Sequence, residues 1–237
     1  MRRFLITNDD GIESDGILRL AETCRKLGQV CIVAPQKECS AMSHRITLRE
    51  PIDVIKVDFP VEGVEAYASS GTPADCVRFG LKNIVKQQPD VVLSGINNGF
   101  NSGSDIQYSA TVGAALEAAC VGMHAIALSE GYECLHEVTD AYLSKVILDL
   151  MERKLAFNQV WNVNFPKCPL KEFKGILEDR VVAENSFYHD KYREELLPDG
   201  TLRLMVDGTY YEDAEPGTDV RAIIDGYISI GIVNNLH

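Results

Sequence analysis

Basic residues are scarce in this chain: 23 Lys and Arg stand against 35 Asp and Glu in 237 residues, a formal net charge of −12. So acidic a protein is poorly suited to gripping a nucleic-acid polymer, whose counterions Lys and Arg must displace. A small anion stays within reach, because a metal ion or a helix N-terminus can override the global sign locally. No stretch approaches the ~18 apolar residues of a membrane span. The opening "MRRFLITNDD" follows its two arginines with too short an apolar run for a secretory signal. There is no C-x-x-C pair, and the seven cysteines are odd in number, with Cys31 and Cys120 inside apolar runs. That pattern indicates reduced, buried thiols and excludes a disulfide framework or a cysteine-built zinc site. The expectation is a cytoplasmic protein with neither a membrane nor a nucleic-acid polymer as partner. Also missing are G-x-x-x-x-G-K-[ST], G-x-S-x-G and H-E-x-x-H, and no G-x-G-x-x-G follows the first apolar run. P-loop, serine-hydrolase, zinc-protease and dinucleotide-binding chemistries therefore lack support.

What is present is an ordinary globular composition, 46% hydrophobic and 24% charged, enough for a sizeable core. Strand and helix signals alternate. "FLIT" precedes "DGILRLAETCRKLG", in which Ile17, Leu20, Ala21, Cys24 and Leu27 share one helical face before Gly28. "VCIVA" follows, then a polar stretch at 36–50, then candidate strands "RITL", "VIKV" and "EAYAS". "TPADCVRFGLKNIVK" reads as a helix capped by Thr72, with Pro73 first and Asp75 third. "DVVLSG", "ATVGAALEAACVG", "AIALS", "EVTDAYLSKVILDLMERK" and "VWNVNFP" continue the alternation. Nearly all-apolar strands separated by helices predict an α/β fold, a mostly parallel sheet covered on both faces. Residues 1–168 are expected to form this core. Residues 169–220 lose helical periodicity and carry a hairpin signal at Asp199-Gly200, which predicts an extension used for oligomerisation. Residues 221–237 would return as a final strand.

Chemistry concentrates where the strands end. In parallel α/β sheets ligands sit beyond the carboxyl ends of the strands. There the sequence places "NDDG", "APQKECSAMSHR", "SGINNGFNSGSD" and "YSAT", rich in carboxylates, amides, hydroxyls and glycines. Adjacent Asp9 and Asp10 repel, and desolvating either is costly without a compensating charge. An ordinary Asx turn accounts for "NDDG" taken alone. The assembled set suits a hard divalent cation, magnesium or manganese, which takes oxygen donors and would neutralise both carboxylates. Convergence of the two requires the chain to turn at Gly11. "NSGSDIQYSATVGAA" reads as an anion cradle, with the Ser109 and Thr111 hydroxyls at a helix start where free N–H groups favour phosphate. The alternative is a plain N-cap on a small-residue helix packed against the sheet.

Together, "TNDDG", "VAPQKECSAMSHRITL", "GTPADCV" and "SGINNGFNSGSDIQYSATVGAALE" resemble the SurE family of metal-dependent nucleotidases, in order over much of residues 4–129. The resemblance implies a Rossmann-like core with a C-terminal hairpin arm exchanged between subunits of a homodimer or homotetramer. It implies hydrolysis of nucleoside 5′-monophosphates, and also of 3′-monophosphates or short polyphosphate. Carried over by position, Asp9, Asp10, Ser40 and Asn97 would hold one divalent ion per subunit. Ser43, His44, Asn101, Gly103, Ser109 and Thr111 would bind the phosphate, and Asn8 would assist Asp9 and Asp10 in catalysis. Ala110 departs from the glycine usual in the family. Two rivals stand beside this reading. A haloacid-dehalogenase-type phosphatase would need an aspartate nucleophile where the chain has Asn8, and a non-catalytic nucleotide sensor could use the same pocket.

Overall fold

The computed structural model describes residues 1–211 and 213–235. Strand β1 (Arg2–Thr7) leads into helix α1 (Asp15–Arg25), then β2 (Gly28–Pro35), β3 (Val54–Val57) and β4 (Glu65–Ser69). Helix α2 (Pro73–Phe79), β5 (Val91–Asn98), α3 (Ala110–Cys120), β6 (Ala125–Glu130), α4 (Glu137–Glu152) and β7 (Gln159–Phe165) follow. Beyond them come β8 (Gly175–Arg180), the short β9 (Tyr188–His189), the ribbon strands β10 (Tyr192–Leu196) and β11 (Leu202–Val206), and β12 (Thr209–Tyr210). Helix α5 (Asp219–Ile224) and β13 (Tyr227–Asn234) close the series.

Nine strands form one sheet in the order β3-β4-β2-β1-β5-β6-β7-β13-β8. Strands β4, β2, β1, β5, β6 and β7 run parallel, while β3 and β13 are antiparallel to β4 and β7. The strands are apolar throughout because both faces are covered. Phe4 and Ile6 join the side chains of α1 and α4 on one face, and Leu5 joins those of α2 and α3 on the other. The second face is lined by alanines of β6 and α3, small enough for helix and sheet to approach closely. A Cβ at Gly113 of α3 would lie 2.7 Å from the Ser43 carbonyl oxygen, so the loop before β3 seats directly on that helix.

The helix expected from Thr72 begins with the foreseen capping box. The Asp75 N–H donates to the Thr72 hydroxyl oxygen (3.2 Å), and the Thr72 N–H donates to the Asp75 carboxylate (3.1 Å). It ends sooner than expected, at Phe79, and passes into a π-helical turn through Ile84. "RITL" is not a strand. Its backbone is bonded to the start of α2 instead: the Thr47 N–H donates to Asp75 (3.0 Å) and the Thr72 hydroxyl donates to the Arg45 carbonyl (2.6 Å). Hydrogen bonds to a cap have replaced those of a ladder, which β-propensity alone cannot anticipate.

Within 169–220, Gly175–Arg180 adds the sheet's edge strand, and the hairpin at Asp199-Gly200 is the exposed ribbon β10–β11. No helix among the described residues is long and apolar enough to cross a membrane. Thr72 anchors both its helix and the Arg45 loop, so Thr72→Ala is expected to cost about 1–2 kcal/mol in urea denaturation, with Thr72→Ser recovering most of it.

Candidate metal centre and anion cradle

The parallel strand order reverses between β1 and β5, with β2 on one side and β6 on the other. Such a switch point opens a crevice at the strands' carboxyl ends. Asn8, Asp9 and Asp10 enter it from β1, and Asn97 and Asn98 from β5. The turn after β1 rests on Gly11, at φ +96°, in the left-handed region. It is braced by Asn8, whose Nδ2 donates to the Gly11 carbonyl and to Ser14 Oγ, both at 2.8 Å. Asn8 Oδ1 stays buried with no partner among the described residues.

Asp9 is 3% exposed. It accepts a hydrogen bond from the Thr111 hydroxyl in the first turn of α3, and its backbone carbonyl accepts from the Cys39 N–H (2.7 Å). Burial pushes the Asp9 carboxyl up to about 7; Thr111 opposes this and the Asp10 charge adds to it. Asp10 is also raised, first by burial and then by the charges of Glu38 and Glu130, against the Asn98 N–H that donates to its Oδ2 (3.1 Å). Among the described residues, no cationic side chain is one of the main groups acting on either carboxylate. Glu130 nearby is treated differently: Arg19 Nη1 lies 2.6 Å from it and His136 Nδ1 2.8 Å.

The four residues expected to hold a cation share one property: each has a hydrogen-bonding group already engaged and an oxygen left over. Asp9 uses Oδ1 on Thr111, and Asp10 uses Oδ2 on Asn98. Asn97 Nδ2 donates to the Gly99 carbonyl (2.7 Å), leaving its Oδ1. Ser40 donates its hydroxyl hydrogen to Glu38 (2.8 Å), leaving the oxygen lone pairs. Oxygen donors with uncompensated negative charge are what a hard divalent cation requires, so the residues fit the group. Asp10 and Ser40 line a cleft of about 450 Å³ with Asn98, Glu130, Tyr132 and His136.

The expected phosphate-binding residues divide into two groups. Ser109 caps α3, accepting from the Val112 N–H (3.0 Å), and Thr111 sits on Asp9, so the helix N-terminus lies beside the carboxylates. Asn101 is buried and fixed from three sides. Its N–H donates to Asn164 Oδ1 (2.9 Å), its Nδ2 to Ser129 Oγ (2.8 Å), and its carbonyl accepts from Asn162 and Asn164. The other three have partners elsewhere. The Gly103 N–H donates to buried Asp219 (3.0 Å), and the Ser43 hydroxyl donates to the Gln107 carbonyl (2.7 Å). His44 pairs with Glu117 farther along α3 (2.8 Å), which also holds Arg78.

Sequence reasoning passed over Asn162, Asn164, Glu38 and Asn98. A signal for the first two exists: in "VWNVNF" two polar residues fall at period two within a buried strand, so they share one face.

The fold and crevice define a doubly wound α/β protein whose switch point gathers carboxylate and amide side chains beside a helix N-terminus. The comparisons place it more narrowly. The family model "Survival protein SurE" matches residues 4–186. Over 230 residues the chain is 41% identical to the 5′-nucleotidase SurE of Clostridium botulinum (strain 657 / Type Ba4), covering 95% of this chain and 90% of that protein. It is 38% identical to the 5′-nucleotidase SurE of Thermoanaerobacter sp. (strain X514), covering 96% and 90%. The crystal structure of the SurE protein from Aquifex aeolicus superposes with a TM-score of 0.83 at 34% identity, covering 98% of this chain and 93% of that one. The chain belongs to the SurE family.

A carboxyl raised above its ordinary 3.8 binds a proton more tightly folded than unfolded. Asp9 therefore removes stability as pH rises from about 4 through about 7. In chelator, the melting temperature is expected to fall across that window. Manganese should flatten the fall, and Asp9→Asn should abolish it; an unchanged fall in the variant would remove Asp9 as its source.

Proposed function

We propose that this chain is a divalent-metal-dependent phosphomonoesterase that removes phosphate from nucleoside 5′-monophosphates, with 3′-monophosphates and short polyphosphate as further substrates. The observation that carries the reading is the pair Asp9, buried, and Asp10, half-buried, at the switch point beside the N-terminus of α3, with no cationic side chain among the main groups of the described residues that act on them. The names of the nucleotidases to which the chain is similar supply the substrate class.

Asp9, Asp10, Ser40 and Asn97 would hold one ion, magnesium or manganese. The chemistry a bound divalent cation supplies is Lewis-acid polarisation of the phosphoryl oxygens and a lowered pKa for the attacking water. The chain's own residues do the positioning. Thr111 fixes the orientation of the Asp9 carboxylate, and Asn98 does the same for Asp10. Asn8 braces the turn that carries both. The first turn of α3 favours the phosphate through its dipole, and Asn101 keeps a second Nδ2 hydrogen for a phosphate oxygen after bonding Ser129. These groups are held before substrate arrives, so little reorganisation accompanies charge development. A covalent aspartyl-phosphate route has no nucleophile at position 8, where the amide is bound into the turn. Beyond the site, we assign the exposed β10–β11 ribbon, with Leu196, Leu202, Leu204 and Val206 in solvent, to a homodimer or homotetramer contact. We place the protein in the cytoplasm, where the buried thiols of Cys24 and Cys76 remain reduced.

Asp9→Asn is expected to lower manganese-dependent phosphate release from AMP by at least about 100-fold while far-UV circular dichroism is retained; full turnover in the variant refutes the ligand assignment. Replacing residues 192–206 with a short Gly/Ser turn should convert the oligomer to a monomer by light scattering. An unchanged mass would move the subunit contact elsewhere.

A further inference from the structure

Beside the catalytic cleft lies a smaller cavity of about 220 Å³, lined by Phe100, Tyr132, Lys167, Tyr188 and Tyr210 among others. Three of its aromatic rings are locked together. Phe100 meets Phe187 edge-on with centroids 5.4 Å apart, and Phe187 stacks on Tyr210 at 5.3 Å and 27°. Packed against Phe187, Tyr210 is nevertheless 52% exposed, so much of its ring is open. The cavity adjoins the candidate metal centre at two points. Tyr132 lines both the cleft that holds Asp10 and Ser40 and this cavity. At Gly99, the point where a Cβ would stand lies 3.5 Å from Asn97 Nδ2 and 3.6 Å from the Tyr188 hydroxyl. An expected metal ligand and the cavity wall thus flank one residue.

We propose that this cavity is the subsite for the nucleobase, with Tyr210 as its stacking platform; the inference rests on the phosphomonoesterase reading above. Flat π-faces fixed by neighbouring rings suit a flat heteroaromatic ligand better than an aliphatic one. The volume accommodates a single ring system and sits below the usual range for drug-sized ligands. Lys167 at the wall offers N–H donors to a base carbonyl or ring nitrogen. Stacking is tolerant of base identity, so the subsite distinguishes nucleotides from sugar phosphates more sharply than one base from another.

The test compares AMP with ribose 5-phosphate, which keeps the sugar and phosphate and lacks the base, in wild type, Tyr210→Ala and Tyr210→Phe, with manganese. Wild type is expected to show a lower KM for AMP. Tyr210→Ala should raise the KM for AMP about tenfold, leave the kinetics on ribose 5-phosphate within about twofold, and be rescued by Tyr210→Phe, which keeps the ring. If Tyr210→Ala does not fold, Tyr210→Leu, apolar but without a π-face, makes the same comparison. Equal effects on both substrates, or none on AMP, overturn the subsite while the phosphatase reading stands. No phosphate release by wild type from either substrate overturns that reading and the subsite with it.

Discussion

Two adjacent carboxylates, one buried and one half-buried, with no basic side chain among the main groups of the described residues that act on them, form the constraint around which the rest of the structure is arranged. Left alone, both disfavour their own ionisation, first through burial and then through nearby negative charge, that of Asp10 on Asp9 and those of Glu38 and Glu130 on Asp10. Proteins commonly settle such a debt with arginine or lysine, and this chain does so a short distance away, where Arg19 neutralises Glu130. At the end of β1 it uses a threonine hydroxyl and backbone N–H groups, which orient charge without cancelling it. That leaves an electrostatic role for a divalent ion, and it reconciles a strongly acidic protein with an anionic substrate.

The scaffold's contribution is to make this arrangement rigid. Strands buried on both faces fix where β1 and β5 end, and the reversal of strand order keeps helices from covering the gap between them. The crevice is then closed from the sides by parts distant in the chain. The loop before β3 is seated on α3 at Gly113, and Asn101 is clamped by asparagines of β7. Groups that would otherwise carry loop entropy to the site are ordered in advance.

Much of this was legible from residues. Apolar runs at strand length marked the central strands, and Thr72, Pro73 and Asp75 marked a helix start, because capping chemistry is local. The placement of the carboxylate pair at the end of β1 and of the helix-start hydroxyls on α3 was legible for the same reason, each marked within a few positions. What could not be read depends on partners far away in sequence. Arg45–Leu48 has the composition of a strand and becomes a loop because Asp75 and Thr72 take its hydrogen bonds. Gly103 looks like part of an anion cradle, yet Asp219, more than a hundred residues later, takes its N–H. His44 sits close to the metal-side loop in sequence and is drawn along α3 by Glu117.

The position of β13 bears on how the protein is made. It lies between β7 and β8, so the strand that ends at Arg180 has no place in the sheet until Tyr227–Asn234 arrives. The asparagines that clamp Asn101 stand on β7, whose outer edge is capped by that same late segment. On the ribosome, the acidic pair after β1 is made long before β13. The amide cradle opposite it gains its final support only once Tyr227–Asn234 has been made, which separates the birth of the charge from the completion of the pocket.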